Sequence, residues 1–261
     1  MKIIMEQTRA KFIKSLLVGA TSVPLVLEAC KKDSGGAGSS SGTSGSSSSS
    51  SSSSGSCTVT NSETDGPYPL YTSRGSSLVR TDITESTQTG IPLSITLTIL
   101  NTHNSCAAFS GVVVDIWHCN KDGYYSGYAN QSGYLGTKDY TGETWLRGRQ
   151  TTDSNGQVKF TSIYPGWYVG RMTHIHVQVY IAANSSNEGS SNSILTTQIA
   201  FPDDITQAVY KTSLYSAHGE NTLTFATDNV FSDGTANEMS TVTANSSTGG
   251  YDLSLSIYAA G

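Results

Sequence analysis

The sequence predicts an all-β domain, a β-sandwich of mostly antiparallel strands with one short helix, and three observations carry that prediction. Only 13% of the residues are charged, and Thr, Ser, Val and Ile are common outside the Ser/Gly linker, a composition that suits pleated, half-buried strands better than helices. Apolar residues recur in short stretches, several with a period of two. Between them lie turn signals such as Asp153-Ser154-Asn155-Gly156.

The first candidate strand is Ile91 to Leu100, where Leu93, Ile95, Leu97 and Ile99 share a face. Val112 to Trp117 is a run of the buried-strand kind, and Gln157 to Ile163 follows the Asp153–Gly156 turn. Met172 to Tyr180 alternates cleanly, and Leu195 to Phe201 and Leu253 to Tyr258 complete the set. Strands this short and this closely spaced read as a sandwich. The one helical stretch is Ile205 to Tyr215, with Ile205, Val209, Tyr210 and Leu214 near helical spacing; no internal repeat is present.

Ahead of the domain, Lys2, Arg9, Lys11 and Lys14 precede an apolar stretch from Leu16 to Leu27 and then Leu27-Glu28-Ala29-Cys30. That order is a secretory signal, too short and interrupted to span a membrane as a helix. It resembles a bacterial lipoprotein signal, residues 1–29, with Cys30 as the lipidated first residue of the exported chain; Glu28 departs from the usual small or apolar residue. Residues 30–56 are nearly all Ser and Gly beyond Asp33, a flexible tether of about 25 Å root-mean-square reach that places the domain, residues 57–261, in the bacterial cell envelope. The chain carries a net charge of −5, which becomes −7 without residues 1–29, and no basic stripe crosses the domain, so nucleic acid is excluded as a partner. Cys57, Cys106 and Cys119 leave room for one disulfide and one thiol in an oxidising compartment; Cys57 with Cys106 is the favoured pair, with the others open.

The chemistry concentrates in Arg171-Met172-Thr173-His174-Ile175-His176-Val177-Gln178-Val179-Tyr180. In a strand, Ile175, Val177 and Val179 point one way and His174, His176, Gln178 and Tyr180 the other, so two imidazoles at a two-residue spacing can meet on one metal ion. A His-x-His pair alone fits a solvated polar face as well. Two tyrosine-bearing turns lie upstream, Pro165-Gly166-Trp167-Tyr168 and Asp122-Gly123-Tyr124-Tyr125-Ser126. Phenolate is a hard anionic oxygen donor that suits iron(III), whereas zinc sites draw on Cys, His or carboxylate.

Taken in order, Val114-Asp115-Ile116-Trp117-His118-Cys119-Asn120, Gly123-Tyr124-Tyr125-Ser126, Arg149 to Gly156, Ile163-Tyr164-Pro165-Gly166-Trp167-Tyr168, Arg171 with His174-Ile175-His176, and Thr196-Thr197-Gln198-Ile199 resemble the intradiol ring-cleavage dioxygenases, the catechol 1,2- and protocatechuate 3,4-dioxygenases. The likeness covers about Cys57 to Tyr258 and includes Asp65-Gly66-Pro67-Tyr68, similar to a pocket-edge segment. It implies a mononuclear non-haem iron(III) held by Tyr125, Tyr168, His174 and His176. The family pattern picks Tyr125 over Tyr124 and Tyr128. It further implies cleavage of a catechol-type ring between its hydroxylated carbons with O2, giving a muconate-type diacid. Arg171 would stabilise negative charge, Gln198 would orient the reacting group, and Tyr168 would leave the metal and take a proton when the diol binds.

Residues 1–56 read as signal and tether in place of the family's helical dimerisation domain, which likens the chain to single-domain exported relatives and leaves its oligomeric state open. His118 is expected to be structural, His103 and His218 to lie on the surface, and Asp115 to be either an acceptor behind the site or a bulge residue. Two other classes compete: a surface-tethered sandwich that only binds, and a zinc or copper hydrolase using the same histidines. The intact four-ligand set weighs against the first, and the lack of a nearby carboxylate base against the second.

Overall fold

Leu93, Ile95, Leu97 and Ile99 form the buried face of β1 (Pro92–Asn101), the central strand of a five-stranded sheet. β11 (Gly250–Ala259) runs parallel to it on one side, with β10 (Thr241–Asn245) outside. On its other side lie β7 (Gln157–Ile163) and the two-residue β2 (Ala107–Ala108), both antiparallel. This computed structural model describes residues 57–71, 78–182 and 189–261. The signal segment 1–29, Cys30 and the tether 30–56 lie outside the described residues.

A second, wholly antiparallel sheet has the order β6 (Arg147–Thr151), β3 (Val113–Trp117), β8 (His174–Tyr180) and β9 (Leu195–Ala200). Its inner face, with Val114, Ile116, Ile175, Val177, Val179 and Ile199, packs on β1, on Val158 and Phe160 of β7, and on Leu253 and Ile257 of β11. Each such side chain stabilises the fold by about 1.5–3 kcal/mol when fully buried, so this seam holds the sandwich together. Thr60 closes the domain by donating its N–H to the Tyr258 carbonyl and accepting the Tyr258 N–H on its hydroxyl, and the Cys57–Cys106 disulfide ties the same segment to the turn after β1. Cys119 is free and buried.

The strands expected from alternation all form. Four more elements lack that signal: β2, β6, β10, and the hairpin of β4 (Gln131–Gly133) with β5 (Gly136–Lys138). β6 reads Arg-Gly-Arg-Gln-Thr because its outer face hydrogen-bonds: Arg147 donates to Ser126 and Arg149 pairs with Asp115. Its inner position must be Gly148, since a Cβ there would come within 2.5 Å of Ile83.

The helix is shorter than its periodicity suggests. α1 (Asp203–Tyr210) ends where the chain turns, and Leu214, expected on its buried face, is exposed. β8 begins at His174, two residues later than expected, because the Met172 N–H is taken by the Asp228 carboxylate instead of a neighbouring strand.

Candidate active site

The outer face of the second sheet is as dry as the inner one. All seven residues of β8 are buried, so the polar side chains alternating with its core residues are covered as well. Register aligns Arg147, Trp117, His176 and Gln198 in one row across the four strands, and Arg149, Asp115, Gln178 and Thr196 in the next. Residues 63–71 lie over this face: the Glu63 N–H donates to the Thr196 carbonyl, and the Gln198 amide donates to the Thr64 carbonyl at 2.8 Å. Gly66 rests against the His176 ring, where a Cβ would approach Cε1 to 2.9 Å. A polar face held away from water must be hydrogen-bonded or must bind something.

The two tyrosine turns lock onto each other through their glycines. Gly123 has φ +84° and packs on the Trp167 carbonyl, where a Cβ would come within 2.1 Å; Gly166 packs on the Asn120 and Lys121 carbonyls. Gln131 clamps Tyr125 by accepting from its N–H and donating to its carbonyl. Tyr125 and Tyr168 are thereby held with ring centroids 5.8 Å apart, and Tyr168 lies 5.5 Å from the His174 ring. The competing tyrosines turn elsewhere: Tyr124 donates to the Gly136 carbonyl and Tyr128 to the Pro69 carbonyl. Tyr68 stacks on Tyr125 at 4.8 Å.

Four of the expected residues, Tyr125, Tyr168, His174 and His176, therefore meet. His174 Nε2 is 3.1 Å from His176 Nε2 and 3.4 Å from the Tyr125 hydroxyl. Opposite, His174 Nδ1–H donates to the Met172 carbonyl at 2.6 Å, which leaves the Nε2 lone pair facing the cluster. His176 Nδ1 is buried and has no hydrogen-bond partner among the described residues. Burial, followed by the positive charge of Arg171, pushes His174 down to about 3; burial and then His174 push His176 well below its usual range, so both rings are neutral donors. Burial raises Tyr125 well above the ordinary phenol, and raises Tyr168 too, against the opposing pull of Arg171.

This donor set fits a hard metal ion. Among the described residues no three His, Cys, Asp or Glu gather as possible ligands, so a metal centre here must draw on the tyrosines. A cation at the meeting point would reverse the effect of burial and favour phenolate.

Arg171 and Gln198 adjoin the cluster. Arg171 is buried and its Nη2 donates to Gln198 Oε1 at 2.6 Å. A cavity of about 610 Å³ opens beside them, lined by Tyr168, Arg171, Thr64 and Gly66, with Val169 among its exposed lining. His118 bonds the Cys119 carbonyl and Ser162 away from the cluster, and Asp115 pairs with Arg149 within the regular ladder, so it is no bulge residue. His218 corrects the expectation of a surface residue: it is 3% exposed, packs on Trp167 and bonds the Trp167 carbonyl. The sequence reading gave no role to Trp117 or Asp228. Trp117 sits in a recognisable motif, while nothing around Asp228 marks it.

Fold and cluster together define a class: a β-sandwich protein with a buried two-histidine, two-tyrosine constellation suited to a hard metal ion. Residues 66–242 match the family described as dioxygenase, Dioxygenase_C. The chain is similar to an intradiol ring-cleavage dioxygenase from Tetranychus urticae, at 25% identity over 78% of this chain and 95% of that one, with a TM-score of 0.63. It shares its fold with the dioxygenase domain of a dioxygenase and carbohydrate-binding protein fusion from Streptomyces sp. SirexAA-E, at 22% identity over 77% and 97% of the two chains and a TM-score of 0.52. No match to a curated protein reaches significance. The chain belongs to the intradiol ring-cleavage dioxygenase family and is an enzyme of that class.

Proposed function

We propose that this enzyme holds a mononuclear non-haem iron(III) on Tyr125, Tyr168, His174 and His176 and cleaves a catechol-type ring between its hydroxylated carbons with O2, giving a muconate-type diacid. The observation that carries the reading is the convergence of His174 Nε2, His176 Nε2 and the Tyr125 hydroxyl in a buried cluster, with His174 Nδ1 occupied by the Met172 carbonyl. Bound there, iron(III) would act as a Lewis acid that favours the diol as its dianion and makes the ring electron-rich towards dioxygen.

The chain's own residues do the rest. Tyr168 lines the cavity and takes the proton of a diol hydroxyl. Arg171 lines the cavity, bonded to Asp228, Gln198 and Tyr168, and its guanidinium stabilises negative charge developing on the ring. Gln198 has its amide direction fixed, oxygen to Arg171 and nitrogen to the Thr64 carbonyl, and orients the reacting group from one side. Tyr68, stacked on Tyr125, keeps water from that ligand's ring. The reading extends to location: the Cys57–Cys106 disulfide supports an oxidising compartment, in keeping with export and a lipid anchor on Cys30.

Metal analysis and a visible spectrum of the purified protein test the proposal. Stoichiometric iron and a tyrosinate charge-transfer colour that changes when catechol is added are expected. A colourless protein that prefers zinc would overturn it.

A further inference from the structure

We propose that Asp228 is a positioning residue of this site, one carboxylate that fixes both the arginine facing the cavity and the backbone that aims His174. The proposal rests on the ring-cleavage reading above, and its test separates the two.

The Asp228 side chain is wholly buried, and all its hydrogen bonds lead to the site or to its own turn. Oδ1 accepts from the N–H groups of Val230 and Phe231, at 2.8 and 3.0 Å, which fixes the carboxylate relative to its own loop. Oδ2 accepts the Met172 N–H at 2.6 Å, and both oxygens take Arg171 Nε, at 3.2 and 3.0 Å. The carboxylate thus reaches two consecutive residues, 171 and 172, that lead to different parts of the site.

Through Arg171 the line continues to Gln198. With Nε held by the carboxylate, the guanidinium plane is set, and its Nη2 meets Gln198 Oε1 at 2.6 Å. Gln198 then has one amide orientation, because its nitrogen must donate to the Thr64 carbonyl. The Arg171 carbonyl is itself held by Asn221 Nδ2 at 2.8 Å, and the ring of Phe231 lies 5.6 Å from the guanidinium carbon. Through Met172 the second line reaches the histidine: the residue whose N–H is fixed by Asp228 offers the carbonyl that receives His174 Nδ1–H. Burial alone would favour the protonated acid, but the backbone donors of Met172 and Phe231 and the charge of Arg171 hold Asp228 below the usual carboxylate range. The pair is therefore ionic, and the buried guanidinium has its counter-charge.

Asp228→Asn keeps size and an oxygen for the backbone donors while removing the two-oxygen grip on Arg171. The expected result is a kcat per bound iron lowered about 10- to 100-fold, the scale of losing a partner that supports a site residue from behind, with KM for catechol changed less than about threefold. Combined with Arg171→Gln, Asp228→Asn should cost clearly less than it does alone, because the line through the guanidinium is already lost and only the line through Met172 to His174 remains. A merely structural role would lower Tm and leave kcat of the folded fraction untouched. That outcome, or additive losses in the double variant, overturns the proposal. Should Asp228→Asn fail to fold, Asp228→Glu keeps the charge and displaces it by one methylene; lowered kcat at steady KM is expected, and unchanged kcat overturns the proposal.

A second readout needs neither iron nor turnover. In metal-free protein labelled with 15N-arginine, the Arg171 Nε–H should be low-field and slow to exchange, and Asp228→Asn should abolish both properties. An unaltered resonance overturns the positioning role even if the enzyme is active. A wild-type protein with no ring-cleaving activity but a protected Arg171 Nε–H would sink the ring-cleavage reading and leave the geometry standing.

Discussion

Trp117 and His176 lie face to face on neighbouring strands, ring centroids 4.8 Å apart and planes 5° from parallel. The stack fixes the imidazole plane where hydrogen bonding does not, since His176 Nδ1 has no partner among the described residues. Trp117→Leu should therefore release the ring and weaken iron retention about 10- to 100-fold, the scale of a lost supporting contact behind a ligand. Trp117→Phe, which can still stack, should lose less. Competition with a chelator, followed through the visible band, measures both.

Tyr125 and Tyr168 are separable by spectroscopy. Tyr125 is clamped by Gln131 beneath Tyr68, whereas Tyr168 lines the open cavity. Tyr125→Phe should shift the visible band of the catechol complex. Tyr168→Phe should shift mainly the resting band and slow catechol docking. A catechol-complex spectrum unchanged in Tyr125→Phe but altered in Tyr124→Phe or Tyr128→Phe would show that the wrong tyrosine has been assigned.

The Cys57–Cys106 disulfide spans 49 residues, a loop whose cross-link stabilises by about 4 kcal/mol in the chain-entropy picture. Cys106→Ser should lower Tm by roughly 10 °C. Reductant should produce the same drop in the wild type and none in the variant, as followed by thermal melts.

Glu238 is fully buried and accepts from Thr197 with one oxygen, while the other is unpaired among the described residues; burial and then Glu63 raise it from 4.5 to about 8. Glu63 itself is raised to about 7, by burial and then Asp233. A raised carboxyl favours the folded state while protonated, so its contribution is complete below about 4.5 and is lost as pH rises through about 8. Glu238→Gln has no proton to lose. Its Tm relative to wild type should climb by roughly 10 °C as pH goes from about 5 to about 9. Parallel melting curves would rule the mechanism out.

Cys30→Ala should move the protein from the membrane fraction to the soluble envelope fraction, because acyl chains supply the proposed anchor. Fractionation followed by immunoblotting reports it, and a variant that stays with the membrane places the anchor elsewhere.

What the sequence revealed follows from where the apolar pattern operates. Leu93 to Ile99 and Ile175 to Val179 face a seam made only of hydrocarbon, so their alternation is visible. β6 is an edge strand whose outer face is held by hydrogen bonds, and Arg147 and Arg149 read as exposed cations until Ser126 and Asp115 are placed beside them. Period two put His174 and His176 on one face, but only family resemblance chose Tyr125 over its neighbours. Asp228 meets Arg171 from 57 residues away, in a loop with no repeating pattern, and no local signal could join them. His218 misled because Ser216-Ala217-His218-Gly219 looks solvated, whereas the fold tucks its ring against Trp167 and Tyr134.

The parallel pairing of β1 with β11 sets a condition on how this protein acquires its shape. Nine consecutive residue pairs join the first long strand to the last, and Thr60 bonds the same strand at Tyr258. A chain emerging from its N-terminus cannot complete that sheet piece by piece, since the partner of β1 arrives only after every ligand segment has been delivered. Contacts this distant in sequence make folding slow. Until β11 docks, one flank of β1 stays open, an unpaired edge able to recruit another chain. Truncation or stalling before residue 250 would therefore yield an aggregation-prone intermediate that already contains both histidines and both tyrosines, with no finished sandwich to hold them in place.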